Sequence, residues 1–501
     1  MITSYRIVTT ILIVCAITFG IVPNPSIEAK PRKKGTVRVK GAKAKKGGKR
    51  SRTHRSSKKA RRAANNQQVA QTQAKKMITS VAIIDDSLLT EGLIYRKMDV
   101  MFKDSTHSIA HTLTCVTKNP QFSIQALKAE GVAFGMERIP TMMARLDSAE
   151  NRKVLAAINT HFWRTPSYTP LGATVVNGEV VEMLPNKNWT SCFIDTKGKP
   201  HFDSLKISAI VRTRGGITLP VSAVNRRTAS DSCILFNQYA GTTVPPVMLR
   251  RIERMIDEIQ ADSATLSTDS TIAPAQINRD SLRSILAKQM QETSAEREYK
   301  KILVRYLRPP QINTDIPMIV LDVVDTGTVQ IPLRGCVLSM SSQIAKTMYF
   351  TVGDTLYLRY TTNVLDSVQF VQSFCGVPKL VSSGKQNDLL NNSEYLNPYF
   401  SQGKLARTAI GTDILRSTLY LCSIESNSRS RGMSLAELAE FMKGFGAHDA
   451  INMDGGGSAQ MVVGQSIVTH ESNQFVRKIS VALGVVKKKL LPKLPRGHQK
   501  E

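Results

Sequence analysis

Val175-Val176-Asn177-Gly178-Glu179-Val180-Val181 sets two β-branched runs on either side of an Asn-Gly pair. A two-residue hairpin loop needs positive φ at both central residues, and Asn-Gly supplies it, so the segment predicts an antiparallel hairpin. Phe193 to Phe202 repeats the pattern around Lys197-Gly198, and Val337 onward, Thr355 to Thr361 and Leu419 to Ile424 read as further strands. From about residue 80 the chain continues in short apolar runs parted by Gly, Pro, Asn and Asp, without internal repeats or a regular alternation of strand and helix. That organisation predicts an α+β fold over residues 80–486, with mixed, mostly antiparallel sheets and packed helices.

Helical spacing interrupts the strands in two places. Val247 to Gln260 sets Leu249, Ile252, Ile256 and Ile259 on one face, and Asp280 to Leu307 carries Leu282, Ile285 and Leu286 at similar intervals. Residues 246–311 therefore read as a helical insertion, a packed appendage rather than a carrier of chemistry. Further on, Ser434-Leu435-Ala436-Glu437 is a capping box, Leu435, Leu438, Met442 and Phe445 form the buried stripe, and Gly446 marks the helix end.

With 42% hydrophobic and 21% charged residues, the 501-residue chain is neither wholly disordered nor fibrous. The net charge of +29 describes its ends: residues 30–62 hold 17 Lys and Arg and no Asp or Glu, and residues 487–501 form a second basic tail. The body is mildly basic and shows no interleaving of aromatic and basic residues, so no specific nucleic-acid partner is expected. Residues 1–29 read as a signal peptide, with Arg6 ahead of an apolar run from Val8 to Val22 and a small-residue exit at Ala29. The run is short of the roughly 20 apolar residues that a membrane helix needs.

Export to the periplasm or the medium, with envelope association, is the expectation. Residues 30–76 lack aromatics and any apolar period, which predicts a disordered basic arm drawn to an anionic envelope polymer or membrane surface. Six cysteines follow the leader: Cys115, Cys192, Cys233, Cys336, Cys375 and Cys422. Their even number permits three disulfides, and their apolar strand contexts fit buried thiols equally well. No metal-ligand spacing appears and no cofactor is called for; the residues leave the participation of a divalent ion open.

The stretch with the clearest chemical content is Ala450-Ile451-Asn452-Met453, a brief buried strand, followed at once by Asp454-Gly455-Gly456-Gly457-Ser458. An acid at a strand's end before three glycines lies beside backbone that a ligand can approach closely, with amides free to face an anion. Taken with Arg407-Thr408-Ala409-Ile410-Gly411 and Ser430-Arg431-Gly432-Met433-Ser434-Leu435, this stretch resembles the phosphodiester glycosidase family. Ala157-Ile158-Asn159, Leu171-Gly172, Ala223-Val224-Asn225-Arg226, Val352-Gly353-Asp354 and Arg477 fit the same pattern. Two places depart from it: Thr160-His161 stands where the family has small residues, and Cys375-Gly376-Val377-Pro378 keeps one glycine of two.

The resemblance implies an exported hydrolase that cleaves a sugar-1-phosphate phosphodiester in an envelope or host glycan. Such a substrate presents an anionic phosphate and an anomeric carbon that becomes cation-like. Arg407, Arg431 and Arg477 suit the phosphate, because guanidinium grips phosphate oxygens in bidentate fashion. Asp454 is then the catalytic residue, as nucleophile, general base or stabiliser of the oxocarbenium. Asn159, Gly455, Gly456 and Ser458 complete the substrate-binding set, and Asp413, Glu425 and Asp449 are candidates for a second carboxylate. His161 and His448 read as local polar contacts, and Asn225 and Arg226 as cleft or turn residues. The alternative is a non-catalytic envelope protein that binds an anionic polymer or glycan.

Overall fold

Asn177 (φ 50°) and Gly178 (φ 84°) both adopt the left-handed conformation, and the Asn-Gly turn joins antiparallel strands Thr174–Val176 and Glu179–Glu182. The structure is a computed structural model and describes residues 76–488 apart from 151–152, 166, 227–232, 246–298, 326, 365–366, 388–396 and 470–475. The hairpin belongs to a five-stranded sheet with Phe370–Gly376, Thr190–Asp195 and Pro200–Ser204. Both faces of this sheet are covered. Val175 and Val180 enter one hydrophobic core and their neighbours Val176 and Val181 enter another, which is why the strands read Val-Val instead of alternating with polar residues. Burying each such valine is worth about 1.5–3 kcal/mol.

On one side lies an eight-stranded sheet that includes Ile207–Thr213, Asp315–Val324, Gly335–Ser341 and Thr355–Thr362. On the other side two sheets share the second core. One has eight strands, with Leu93–Phe102, His107–Val116, Thr418–Ile424, Arg407–Thr412, Asp449–Asn452 and Lys379–Ser382 in that spatial order. The other has five, with Val154–Asn159 between Met461–Val463 and Val481–Lys487. Pairing is antiparallel throughout the described strands except where Ala223–Val224 runs parallel to Cys233–Asn237.

The fold is more strand-rich than an α+β description with packed helices conveys. Only two described α-helices exceed five residues, Ile139–Glu150 and Leu435–Gly444. In the latter, Ser434 and Glu437 close the expected capping box, and Leu435, Leu438 and Met442 pack on the sheet. The helical reading of Asp280 to Leu307 fails at its C-terminal end. Tyr299–Tyr306 is a strand flanked by Asp315–Val324 and Gly335–Ser341. Its aromatic and β-branched residues favour that conformation, and two flanking strands satisfy its backbone. Residues 246–298 of the expected insertion lie outside the described residues, as do the leader, nearly all of the basic arm and most of the basic tail. All six cysteines are free, buried thiols, so none of the permitted disulfides forms.

Candidate active site

Backbone hydrogen bonds from three directions hold the loop after strand Asp449–Asn452. The Met453 N–H donates to Thr408 O (2.8 Å), the Asp454 N–H to Thr160 O (2.9 Å) and the Gly456 N–H to Ala406 O (2.8 Å). Thr408 and Ala406 belong to the eight-stranded sheet or its approach, whereas Thr160 follows Val154–Asn159 in the five-stranded sheet. The acid thus sits at a seam between two sheets, the kind of position where a rigid scaffold presents a side chain to solvent.

The glycines have separate reasons. A Cβ on Gly455 would lie 2.7 Å from Ala406 O, so backbone occupies the space a side chain needs. Gly456 has φ 57°, in the left-handed region. A Cβ on Gly457 would come within 3.1 Å of the Arg477 guanidinium, which therefore lies against the loop's bare backbone.

Asp454 is partly exposed, yet the surrounding protein pushes its carboxyl up from the usual carboxylate range to about 7. Burial is the dominant cause. The Ser458 hydroxyl, the Gly455 N–H (3.0 Å from Oδ1) and the positive charge of Arg477 oppose it. Ser458 is buried, and its hydroxyl is close enough to favour the ionised carboxylate but has no partner in hydrogen-bonding geometry. Arg477 is exposed, with no carboxylate within ion-pair distance among the described residues. An acid poised near neutrality, a guanidinium without an ion-pair partner among the described residues and a spare hydroxyl thus meet beside the triple glycine.

Three of the residues expected to touch substrate have other roles. Asn159 is buried at 1% exposure, and its amide is spent on the protein: Nδ2 donates to Asp454 O (2.7 Å), while Oδ1 accepts from Thr408 Oγ1 (2.7 Å) and Gln460 N–H (3.0 Å). It positions the loop. Arg407, also 1% exposed, donates to the carbonyls of Met433, Phe400 and Gly403 at 2.7–2.8 Å and stacks over the Phe400 ring. Its strand is buried along its whole length, so the guanidinium serves the fold instead of a phosphate. Arg431 pairs with Glu437 (2.8 Å) and lies 3.7 Å over the Phe102 ring, at the start of helix Leu435–Gly444. Of the three guanidinium groups, that of Arg477 is the one that lies against the glycine loop.

The candidates for a second carboxylate are likewise occupied. Asp413 accepts from Ser417 and Thr418 in the turn between Arg407–Thr412 and Thr418–Ile424, at the end of the strand opposite Arg407. Glu425 binds His111 and Asn427, and Asp449 binds Lys379 and His448. His161 is buried, accepts from the Cys375 N–H at Nε2 (3.0 Å) and is pushed down to about 3 by burial, so it stays neutral. Asn225 (φ 55°) closes a turn, with Oδ1 accepting from the Asn237 N–H. No group of three or more His, Cys, Asp or Glu among the described residues is placed to hold a metal ion.

Sequence reasoning missed the aromatic side chains anchored to the same backbone. Phe162, two residues after the carbonyl that holds Asp454, packs edge-on against Trp189 (5.4 Å) and Phe400 (6.1 Å), and all three are partly exposed. It also missed Glu182, buried between Arg164 and Arg226 at 3.6 Å from each. No alternation could have marked it, because the strand Glu179–Glu182 is buried at every position.

Comparison with known proteins bears on this arrangement. Residues 320–486 match the family model for phosphodiester glycosidase. This region is phosphodiester glycosidase-like. It contains the Asp454 loop, Arg407, Arg431 and Arg477, so the resemblance read from those motifs holds over it. The mouse N-acetylglucosamine-1-phosphodiester alpha-N-acetylglucosaminidase is 31% identical over 153 residues, 27% of this chain and 29% of the mouse protein. The human enzyme of the same name is 33% identical over 100 residues, 19% of each chain. The matched regions span less than a third of these relatives. A crystal structure of a hypothetical protein from Synechocystis shares the fold, with TM-score 0.55 and 18% identity over 83% of this chain and 64% of the other.

Proposed function

We propose that the protein hydrolyses the bond between a sugar's anomeric carbon and a phosphodiester, with Asp454 acting at the carbon and Arg477 holding the phosphate. The observation that carries this reading is the Asp454 carboxyl, raised to about 7 beside the glycine backbone and an arginine that has no ion-pair partner among the described residues. A base works best with a pKa near the working pH. A water oxygen bonds to the anomeric carbon, its proton passes to ionised Asp454, and the electron pair of the breaking C–O bond leaves with the phosphate. Phosphate departs as an anion without being protonated, so this step needs no second carboxylate. The exposed Arg477 guanidinium and the Gly457 backbone offer donors to the phosphate oxygens. Phe162, Trp189 and Phe400 offer ring faces and edges to the sugar. The names of the mammalian relatives support an N-acetylglucosamine-1-phosphodiester as the first substrate to try.

We place the reaction outside the cytoplasm, on an envelope or host glycan, from the leader-like residues 1–29, with the basic arm of residues 30–76 meeting anionic polymer. Incubation of the purified chain with a panel of sugar-1-phosphodiesters separates this reading from a non-catalytic binder. Release of free sugar supports hydrolysis, whereas saturable binding without release supports the binder. Deleting residues 30–62 should abolish salt-sensitive retention on an anionic matrix and leave turnover of a small substrate unchanged.

A further inference from the structure

A cleft of about 470 Å³ opens where strand Tyr299–Tyr306 runs into Leu307 to Pro310, against the tip of the Asn177-Gly178 turn and the Arg334-Gly335 bend. None of its lining residues belongs to the Asp454 loop. At its floor is Glu179, 5% exposed, whose Oε2 accepts from Asn237 Nδ2 (2.9 Å) and from the Tyr306 hydroxyl (3.3 Å). A buried acid that no salt bridge compensates is costly to keep, and such groups gather at sites of function. Burial pushes this carboxyl up to about 8, so at neutral pH it is protonated and both donates and accepts hydrogen bonds.

The rim is cationic. Arg308 and Arg334 line the cleft and are exposed, and neither has a carboxylate partner among the described residues. Arg334 is held at φ 54°, a conformation that costs a non-glycine residue energy, while its carbonyl accepts from the Tyr306 N–H (2.8 Å). Leu307, Pro309 and Pro310 supply an apolar wall. That wall is fixed from behind, because a Cβ on Gly178 would fall 1.9 Å from Pro310 O.

We infer that this cleft is a saccharide site, separate from the Asp454 loop, and that it takes a sugar unit bearing an anionic group. An inorganic anion would engage the arginines and leave the acid floor and the apolar wall unused. A neutral sugar would match floor and wall but leave both guanidinium groups without a counter-charge. A charged sugar uses all three, since its hydroxyls pair with the un-ionised carboxyl, its ring packs on the prolines and its anion meets the rim. The volume falls within the range of small-ligand sites. The inference is independent of the proposed hydrolysis.

Titration calorimetry on the full chain tests it, in an Arg477→Ala background so that the loop does not compete. Glucose 6-phosphate, glucuronate and glucose are the probes. The charged sugars are expected to bind saturably and at least tenfold more tightly than glucose. The double variant Arg308→Ala, Arg334→Asn should weaken them at least tenfold; Asn is chosen because it tolerates positive φ. Binding of glucose 6-phosphate alone assigns phosphate as the anionic group, of glucuronate alone carboxylate, and of both, charge itself. The inference is overturned if neither charged sugar saturates, if glucose binds equally well, or if the double variant binds as tightly as its parent.

Discussion

The side-chain amide of Asn159 donates a 2.7 Å hydrogen bond to the carbonyl oxygen of Asp454, 295 residues along the chain. The bond joins the last residue of a strand in one sheet to the second residue after a strand in another, so the acid's backbone is fixed by the same group that joins the sheets. The Asn159 oxygen simultaneously satisfies Thr408 and Gln460.

Asn159→Ala leaves the Asp454 carbonyl, the Thr408 hydroxyl and the Gln460 N–H without their partner in a dry setting. Each buried unsatisfied group costs about 1–3 kcal/mol. Chemical denaturation should show a loss of about 3 kcal/mol or more, with turnover falling even under conditions where the variant is fully folded. An unchanged midpoint would show that the contact is dispensable.

Arg407 and Arg477 should separate cleanly. Arg407→Ala strips the Phe400 and Gly403 carbonyls of their donor, leaves the Met433 carbonyl with only the Leu405 N–H and empties a buried volume, so it should cost about 3–5 kcal/mol of stability. Arg477→Ala removes an exposed side chain, so the denaturation midpoint should stay within error while KM for a sugar-1-phosphodiester rises about tenfold or more. Comparable stability losses in both variants would contradict these roles.

The glycine loop makes a graded prediction. Gly455→Ala drives a methyl into the Ala406 carbonyl and should destabilise the protein, whereas Gly457→Ala meets only the movable Arg477 guanidinium. The second variant should therefore fold normally and show a raised KM, read from melting curves and steady-state kinetics on the same samples.

The raised carboxyl of Asp454 links stability to pH. An acid whose pKa rises on folding stabilises the native state below its unfolded value near 4, and that contribution is lost as pH climbs through about 7. Asp454→Asn should match the parent's stability near pH 4 and exceed it near pH 8 by on the order of 2 kcal/mol, its solvent opening moderating the effect. Activity runs the other way: the parent's turnover should rise with an apparent pKa of about 7 as the base ionises.

Much of this was legible in the residues. Asn177-Gly178 dictated its hairpin because few other dipeptides accept two positive φ values, and Ser434 with Glu437 announced a helix start through short-range bonds that composition alone can encode. Asp454 with its three glycines was visible for the same local reason. The direction in which Arg407 points was not, because a strand buried along its whole length hides the alternation that would mark an inward side chain. Tyr299–Tyr306 misled in the opposite sense: its spacing suits a helix, and only pairing with two strands outside that window decides otherwise. The partnering of Asn159 depends on three segments arriving together, which no single window of sequence contains.

The account rests most heavily on Asp454 as the group that acts at the anomeric carbon. Release of N-acetylglucosamine from an N-acetylglucosamine-1-phosphodiester by the parent protein and by Asp454→Asn, at pH 8 where both are folded, tests it directly. The predicted result is turnover by the parent and a loss of at least a thousandfold in the variant, with its fold intact; equal sugar release by the two would contradict it.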